Sequence, residues 1–140
     1  MEPKEDIDSV FDTQVKGTAY ITKAVLTQMA RQKSGRIYTV THYAYRIGIE
    51  PHDPAVVPKT LHLASLFGKA AIADLVALEA QNYGVRSIPV FIRSVSSNLD
   101  IDDKRDPNKK SNHPNEVTDA IIKDLSSEKS SKEIIINTHV

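Results

Sequence analysis

Apolar residues along this chain fall into two helical stretches that are apolar on more than one face, separated by short β-branched runs. Residues 60–83, TLHLASLFGKAAIADLVALEAQNY, contain no Pro and a single Gly, Gly68. Leu61, Leu63, Leu66, Phe67, Ile72, Leu75, Val76 and Leu78 put apolar groups almost all the way round a helix, which requires cover on more than one side. One narrow polar stripe breaks that surface: His62, Ser65 and Lys69 share a face at i, i+3 and i+7. Lysine is costly to bury unless paired, so Lys69 is expected to face solvent or a polar pocket. The stripe reads either as the rim of a helix interface or as the remains of a catalytic site.

The same pattern predicts a helix over residues 8–33, capped by Asp8 or Ser9 and stopped at Ser34-Gly35. Gly17 inside it lowers helix propensity by about 1 kcal/mol relative to Ala, and suggests close packing against another backbone. Residues 36–41, RIYTVT, read as a strand. Residues 42–59 carry Pro51, Pro54 and Pro58 and read as a connection too Pro-rich for a helix. Residues 85–95 form a second strand, whose Pro89 is awkward for a central position. Residues 96–116 are polar and aperiodic, a mobile loop. A third helix follows from Pro114 to about Ser127, with Val117, Ala120, Ile121 and Leu125 on one face. Residues 133–137, EIIIN, close the chain as a strand. Helix and strand alternate throughout, which implies a parallel sheet sandwiched by helices.

Composition narrows this picture. The 140 residues make one domain, residues 1–140, and balance 18 Lys+Arg against 18 Asp+Glu, so nothing recommends nucleic acid or an anionic membrane as a partner. There is no Cys, hence no thiol nucleophile and no thiolate metal site. The five His show no metal-ligand spacing, and no metal is expected. The N-terminal MEPKEDIDSV is unlike a signal or transit peptide and no apolar run is read as a membrane span, so the expected location is cytoplasmic.

The string VFDTQVKGTAYITKAVLTQMARQKSGRIYTV resembles the middle of a short-chain dehydrogenase/reductase, where a helix with a pattern close to N-V-x-G-T leads through S-G-x-I into a strand ending at the catalytic Ser. SLFGKAAIADLVALEAQNYGVRSIPV is similar to the family's Y-x-x-x-K helix and the strand after it. HPNEVTDAIIKDLSSEKSSKEIIIN resembles its closing P-E-x-V-A helix and final strand. The likeness spans roughly residues 8–137. The resemblance implies a three-layer α/β half of a doubly wound, Rossmann-like domain, with a parallel sheet of about three strands. It also implies NAD(P)-dependent oxidoreduction, and a homo-oligomer in which helices 8–33 and 60–83 pair with their copies as a four-helix bundle.

The site residues depart from the family's set. By motif alignment its Asn falls at Gln14, its Ser at His42 and its Tyr at Ser65; only its Lys is kept, as Lys69. In the family the Tyr phenol, with an ordinary pKa of about 10, is the proton donor; a Ser hydroxyl cannot be tuned that far. The resemblance makes Lys69 the residue that holds the ribose hydroxyls. The family's Pro-Gly after the next strand corresponds to Ile92-Arg93, and the longer gap from His42 to Ser65 is similar to the epimerase-type branch. Gly17, Gly35, Gly48, Gly68 and Gly84 lie far apart, so no Gly-rich turn exists to cradle a pyrophosphate. The expectation is the C-terminal half of such an enzyme, lacking its nucleotide-binding half, with the isolated chain unable to bind NAD(P). The alternative is a pseudoenzyme, or an oligomerisation or interaction module.

Overall fold

The computed structural model describes residues 4–48, 60–93, 95, 113–129 and 131–136. Its elements are α1 (Lys4–Phe11), a π-helical turn (Asp12–Gly17), α2 (Thr18–Gln32), β1 (Gly35–His42), α3 (Ala44–Ile47), α4 (Thr60–Ala80), a 3₁₀ turn (Gln81–Tyr83), β2 (Val85–Ile92), α5 (Pro114–Leu125) and β3 (Ile134–Ile136). The three strands form one parallel sheet in the order β1-β2-β3. Among the described residues β1 is therefore an edge. Side chains alternate along each strand, and the two faces are told apart by their partners. Thr41 of β1 and Ser87 of β2 donate their hydroxyls to Leu66 O and Ala73 O of α4. Arg36 and Tyr38 of β1 point the other way, to α5. Helices thus cover both faces, and the three-layer α/β reading holds.

The first helical stretch begins at Lys4 rather than at an Asp8 or Ser9 cap, because both of those residues lie inside α1. Its middle turn is π-helical, and Gly17 ends that turn with only ordinary contact, 3.4 Å from a Cβ position to Asp12 O. The close packing is at Gly68 instead, where a Cβ would stand 3.1 Å from Val15 of the π turn. α2 ends one residue early, with Lys33 in the left-handed region (φ 54). Ser34 N donates to Met29 O and Lys33 N to Ala30 O, the paired bonds of a Schellman turn usually closed by Gly. The left-handed Gly84 (φ 71) closes the next helix-to-strand turn as expected, and the two turns touch.

α4 is the core helix. Leu63, Ala70, Ala73 and Ala80 are buried, the small side chains letting the helix approach the sheet closely. One buried cluster joins Ala70 to Tyr43, Ala44 and Phe91; a second joins Ala80 to Leu26 and Val85. With its 3₁₀ extension α4 runs 24 residues and is, by length and composition, apolar enough to cross a membrane. That corrects the reading that no such run exists.

Pro89 is fully buried in the central strand, opposite Thr39. Among the described residues β3 pairs only with Val90, Phe91 and Ile92, so on that side the ladder asks nothing of position 89. β2 ends at Ile92, three residues before the expected boundary. The stretch after β1 does hold a helical turn, α3, because residues 44–47 precede the first of the three prolines. α5 ends at Leu125, short of the expected Ser127, and turns Asp124 inward, leaving Leu125 56% exposed. β3 begins at Ile134, one residue after the expected start, and residue 137 lies outside the described residues. Most of the loop 96–116 and all three of those prolines lie outside the described residues.

Candidate functional site

The π turn and α4 together set the geometry of the four residues singled out by sequence. Gln14 lies in the π turn, next to the Val15 that packs on Gly68. That packing brings the following residue, Lys69, within reach: its Nζ donates to Gln14 Oε1 at 3.3 Å. A π turn is frequent at functional positions because it re-aims side chains off the ordinary helical spiral. Lys69 is half-buried, and burial pushes its pKa below the ordinary lysine value.

Ser65, one turn before Lys69, is fully buried and donates its hydroxyl to His62 O at 2.6 Å. This is a correction to the polar-rim reading of the His62–Ser65–Lys69 stripe. The hydroxyl needs no solvent or pocket because its own helix satisfies it. His42 is the last residue of β1, and its Nδ1 accepts from Ala44 N at 3.2 Å. In the neutral ring that bond assigns the proton to Nε2. Tyr43 N donates to Ile92 O, tying the carboxyl ends of β1 and β2 together. Arg93 sits over the Tyr43 ring at 5.4 Å. The structure therefore joins Gln14 to Lys69, stacks Ser65 one turn below, and sets His42 at the strand end.

Two further polar clusters escaped the sequence reading. Arg46 of α3 donates to Glu133 Oε2 (2.6 Å) and Asp74 Oδ1 (2.7 Å) while lying 4.9 Å from the Phe91 ring centroid, joining α3, α4 and the approach to β3. On the other face, buried Asp124 accepts from Tyr38 Oη (2.8 Å) and Ser131 N (2.5 Å). Arg36 donates to the carbonyls of Asp124 and Ser127 (2.6 and 2.9 Å), where a cation also suits the carboxyl end of α5. Partners 86 to 88 residues apart leave no local signature. Among the described residues no group of three His, Asp or Glu side chains is placed to hold a metal ion.

No protein-family model matches the chain. It is 30% identical over 83 residues to a sepiapterin reductase of Chlorobaculum tepidum, covering 59% of this chain and 31% of that protein. Among solved structures it is similar to a short-chain dehydrogenase from Streptomyces avermitilis (TM-score 0.75, 16% identity, 98% of this chain and 54% of the other). It is similar also to acetoin dehydrogenase from Enterobacter cloacae (TM-score 0.71, 15% identity, 96% and 55%). A halohydrin dehalogenase bound to ethyl (2S)-oxiran-2-ylacetate matches at TM-score 0.75 and 16% identity, over 96% and 58%. The chain thus has the fold of short-chain dehydrogenases over about half their length, and spans about a third of the curated relative.

NAD(P) requires a cradle for its pyrophosphate and groups for its ribose hydroxyls. Of the groups that the resemblance assigns to the cofactor, Lys69 is present and its amine already meets Gln14. No strand-to-helix turn among the described residues is Gly-rich. These residues do not by themselves fit a dinucleotide.

Proposed function

We propose that this chain corresponds to the C-terminal half of a short-chain dehydrogenase/reductase-type oxidoreductase in which the proton-transfer set is degraded, and that it turns over no substrate on its own. One observation carries the reading. Ser65, at the position where the resemblance expects the proton-donating Tyr, is 0% exposed and gives its hydroxyl to His62 O. A donor in that state reaches no substrate, and its aliphatic hydroxyl is far too weak an acid for the task. Of the four positions Gln14, His42, Ser65 and Lys69, only Lys69 keeps the family's residue type. Titrating the chain into NADPH and following nicotinamide fluorescence tests the reading. No saturable change is expected, since no Gly-rich strand-to-helix turn that would cradle a pyrophosphate occurs among the described residues. A dissociation constant in the low micromolar range overturns it.

A second reading, an oligomerisation module, is favoured by a separate observation. Tyr20 and Ile21 on α2 and Leu75 and Leu78 on α4 are between 63% and 72% exposed. Between the two helices runs a groove of about 640 Å³ lined by Leu26, Val76 and Tyr83 among others. An apolar surface of this kind marks an interaction site. The two readings are compatible: a second copy of the chain covers the helices while the catalytic positions stay silent.

A further inference from the structure

We propose that Lys69 is a reactive amine that condenses reversibly with aldehydes and ketones to a Schiff base, an activity separate from nicotinamide-dependent reduction. Three features of its surroundings carry this. First, its position: Leu66, in the preceding turn of α4, accepts a hydrogen bond from Thr41 at 2.7 Å, and Thr41 is the penultimate residue of β1. The amine therefore stands near the carboxyl end of a parallel strand, the side on which open α/β sheets take their ligands. Second, its partner: among the described residues Gln14 Oε1 is the one hydrogen-bond acceptor of Nζ, and no carboxylate forms an ion pair with it. An amide oxygen can accept from a neutral amine and carries no charge, whereas a carboxylate would hold the proton on. Third, its fixation: the close fit of Gly68 against Val15 locks the crossing that keeps Nζ and Gln14 together.

Half-burial adds to this by favouring the uncharged amine, the form that attacks. The nearby Ser65 hydroxyl does not compete as a nucleophile, being buried and bonded to His62 O. In the reaction the Nζ lone pair attacks the carbonyl carbon and a C–N bond forms. The C=O π electrons move to oxygen, and a proton passes from nitrogen to that oxygen, giving a carbinolamine. Loss of water then gives the imine. No oxidation state changes, and no co-reactant is required.

The test uses the full chain, propanal as the probe and sodium cyanoborohydride to trap imines at neutral pH, with labelled lysines mapped by peptide mass spectrometry over time. Lys69 is expected to be the fastest site, on the order of fivefold above the mean of the other lysines, as desolvation activates an amine. Lys69→Arg is expected to lose that fast phase, and Gln14→Glu, which sets a carboxylate beside the amine, to slow it to the level of surface lysines. Wild-type mapping alone decides the matter even where a variant folds poorly. Labelling of Lys69 no faster than the mean lysine overturns the proposal, as does an unchanged rate in a folded Gln14→Glu chain. Neither result bears on the NADPH titration, so the two readings fail independently.

Discussion

Asp124→Ala is expected to cost about 3 kcal/mol of unfolding free energy, since it removes the buried carboxylate that holds two charge-assisted hydrogen bonds, from Tyr38 and from the Ser131 amide. The carboxylate is 5% exposed and takes hydrogen bonds from Tyr38 Oη and Ser131 N. Arg36 keeps its bonds to the Asp124 and Ser127 carbonyls in the variant but loses its 3.9 Å ion pair with the carboxylate, so the loss falls on Tyr38, Ser131 and that pair. The same contacts fix the sign of the pH dependence. Burial alone would raise the Asp124 pKa, but hydrogen bonds from Ser131 and Tyr38, with the charge of Arg36, outweigh it and hold the carboxyl below its ordinary value. A folded-state value below the unfolded one of about 3.9 means that the contribution is fully present above that pH. It is then lost as the pH falls through the folded value. Urea unfolding at neutral and acid pH checks both parts: Asp124→Asn should flatten the acid limb. A loss below about 1 kcal/mol at neutral pH would be the cost of an ordinary surface change, and would show that the cluster does not tie α5 to β1.

Gly84→Ala is expected to be comparably damaging, about 2–4 kcal/mol, through two separate effects. The backbone there is left-handed, φ 71, which costs a residue with a Cβ roughly 1 kcal/mol. The added Cβ would also stand 2.7 Å from Lys33 O, closer than such atoms approach. Lys33 O belongs to the backbone of the neighbouring turn, which cannot rotate aside as a side chain would. Relief requires the two helix-to-strand turns to part just where Gly35 pairs with Val85, at the start of the β1–β2 ladder. Gly84→Asn separates the effects, because Asn tolerates the left-handed region yet keeps the Cβ. It should recover only the smaller part. An Ala variant as stable as wild type in the same denaturation experiment would mean that the turns are not in contact.

The order of elements and the parallel sheet are legible in the sequence because they rest on periodicity, which every residue of α4 or β1 helps to report. What escapes it depends on distant partners. Ser65 looks like part of an exposed polar stripe, yet its hydroxyl is satisfied inside its own helix and its Cβ faces the packed interior. On α5 Leu125 shares a face with Val117, Ala120 and Ile121, yet the inward position belongs to Asp124, whose partners come from β1 and from the approach to β3. Pro89 argues against a central strand by local rules, but among the described residues a three-residue ladder starting at Val90 flanks β2 on the β3 side. The π turn has no composition of its own, and its Val15 meets Gly68 of α4, beside the Gln14–Lys69 pair whose members lie 55 residues apart. For the site, sequence singles out the same four residues that the fold can be asked about, and only Gln14 and Lys69 are joined by a hydrogen bond.

Two helix faces that one chain leaves bare are the common root of the half-domain and association readings. Tyr20, Ile21, Leu75 and Leu78 stand out from α2 and α4, on one side of a sheet whose β1 edge is also unpaired among the described residues. A bare parallel edge invites open-ended pairing, whereas the helices offer a closed, two-fold contact. More apolar side chains lie on the helices than along the edge, so a defined dimer is expected. Light scattering on the eluting peak at micromolar concentration reads this directly. The account predicts a mass near twice 15.5 kDa; a well-behaved species of 15.5 kDa would contradict it, by showing that both helix faces are covered within a single chain.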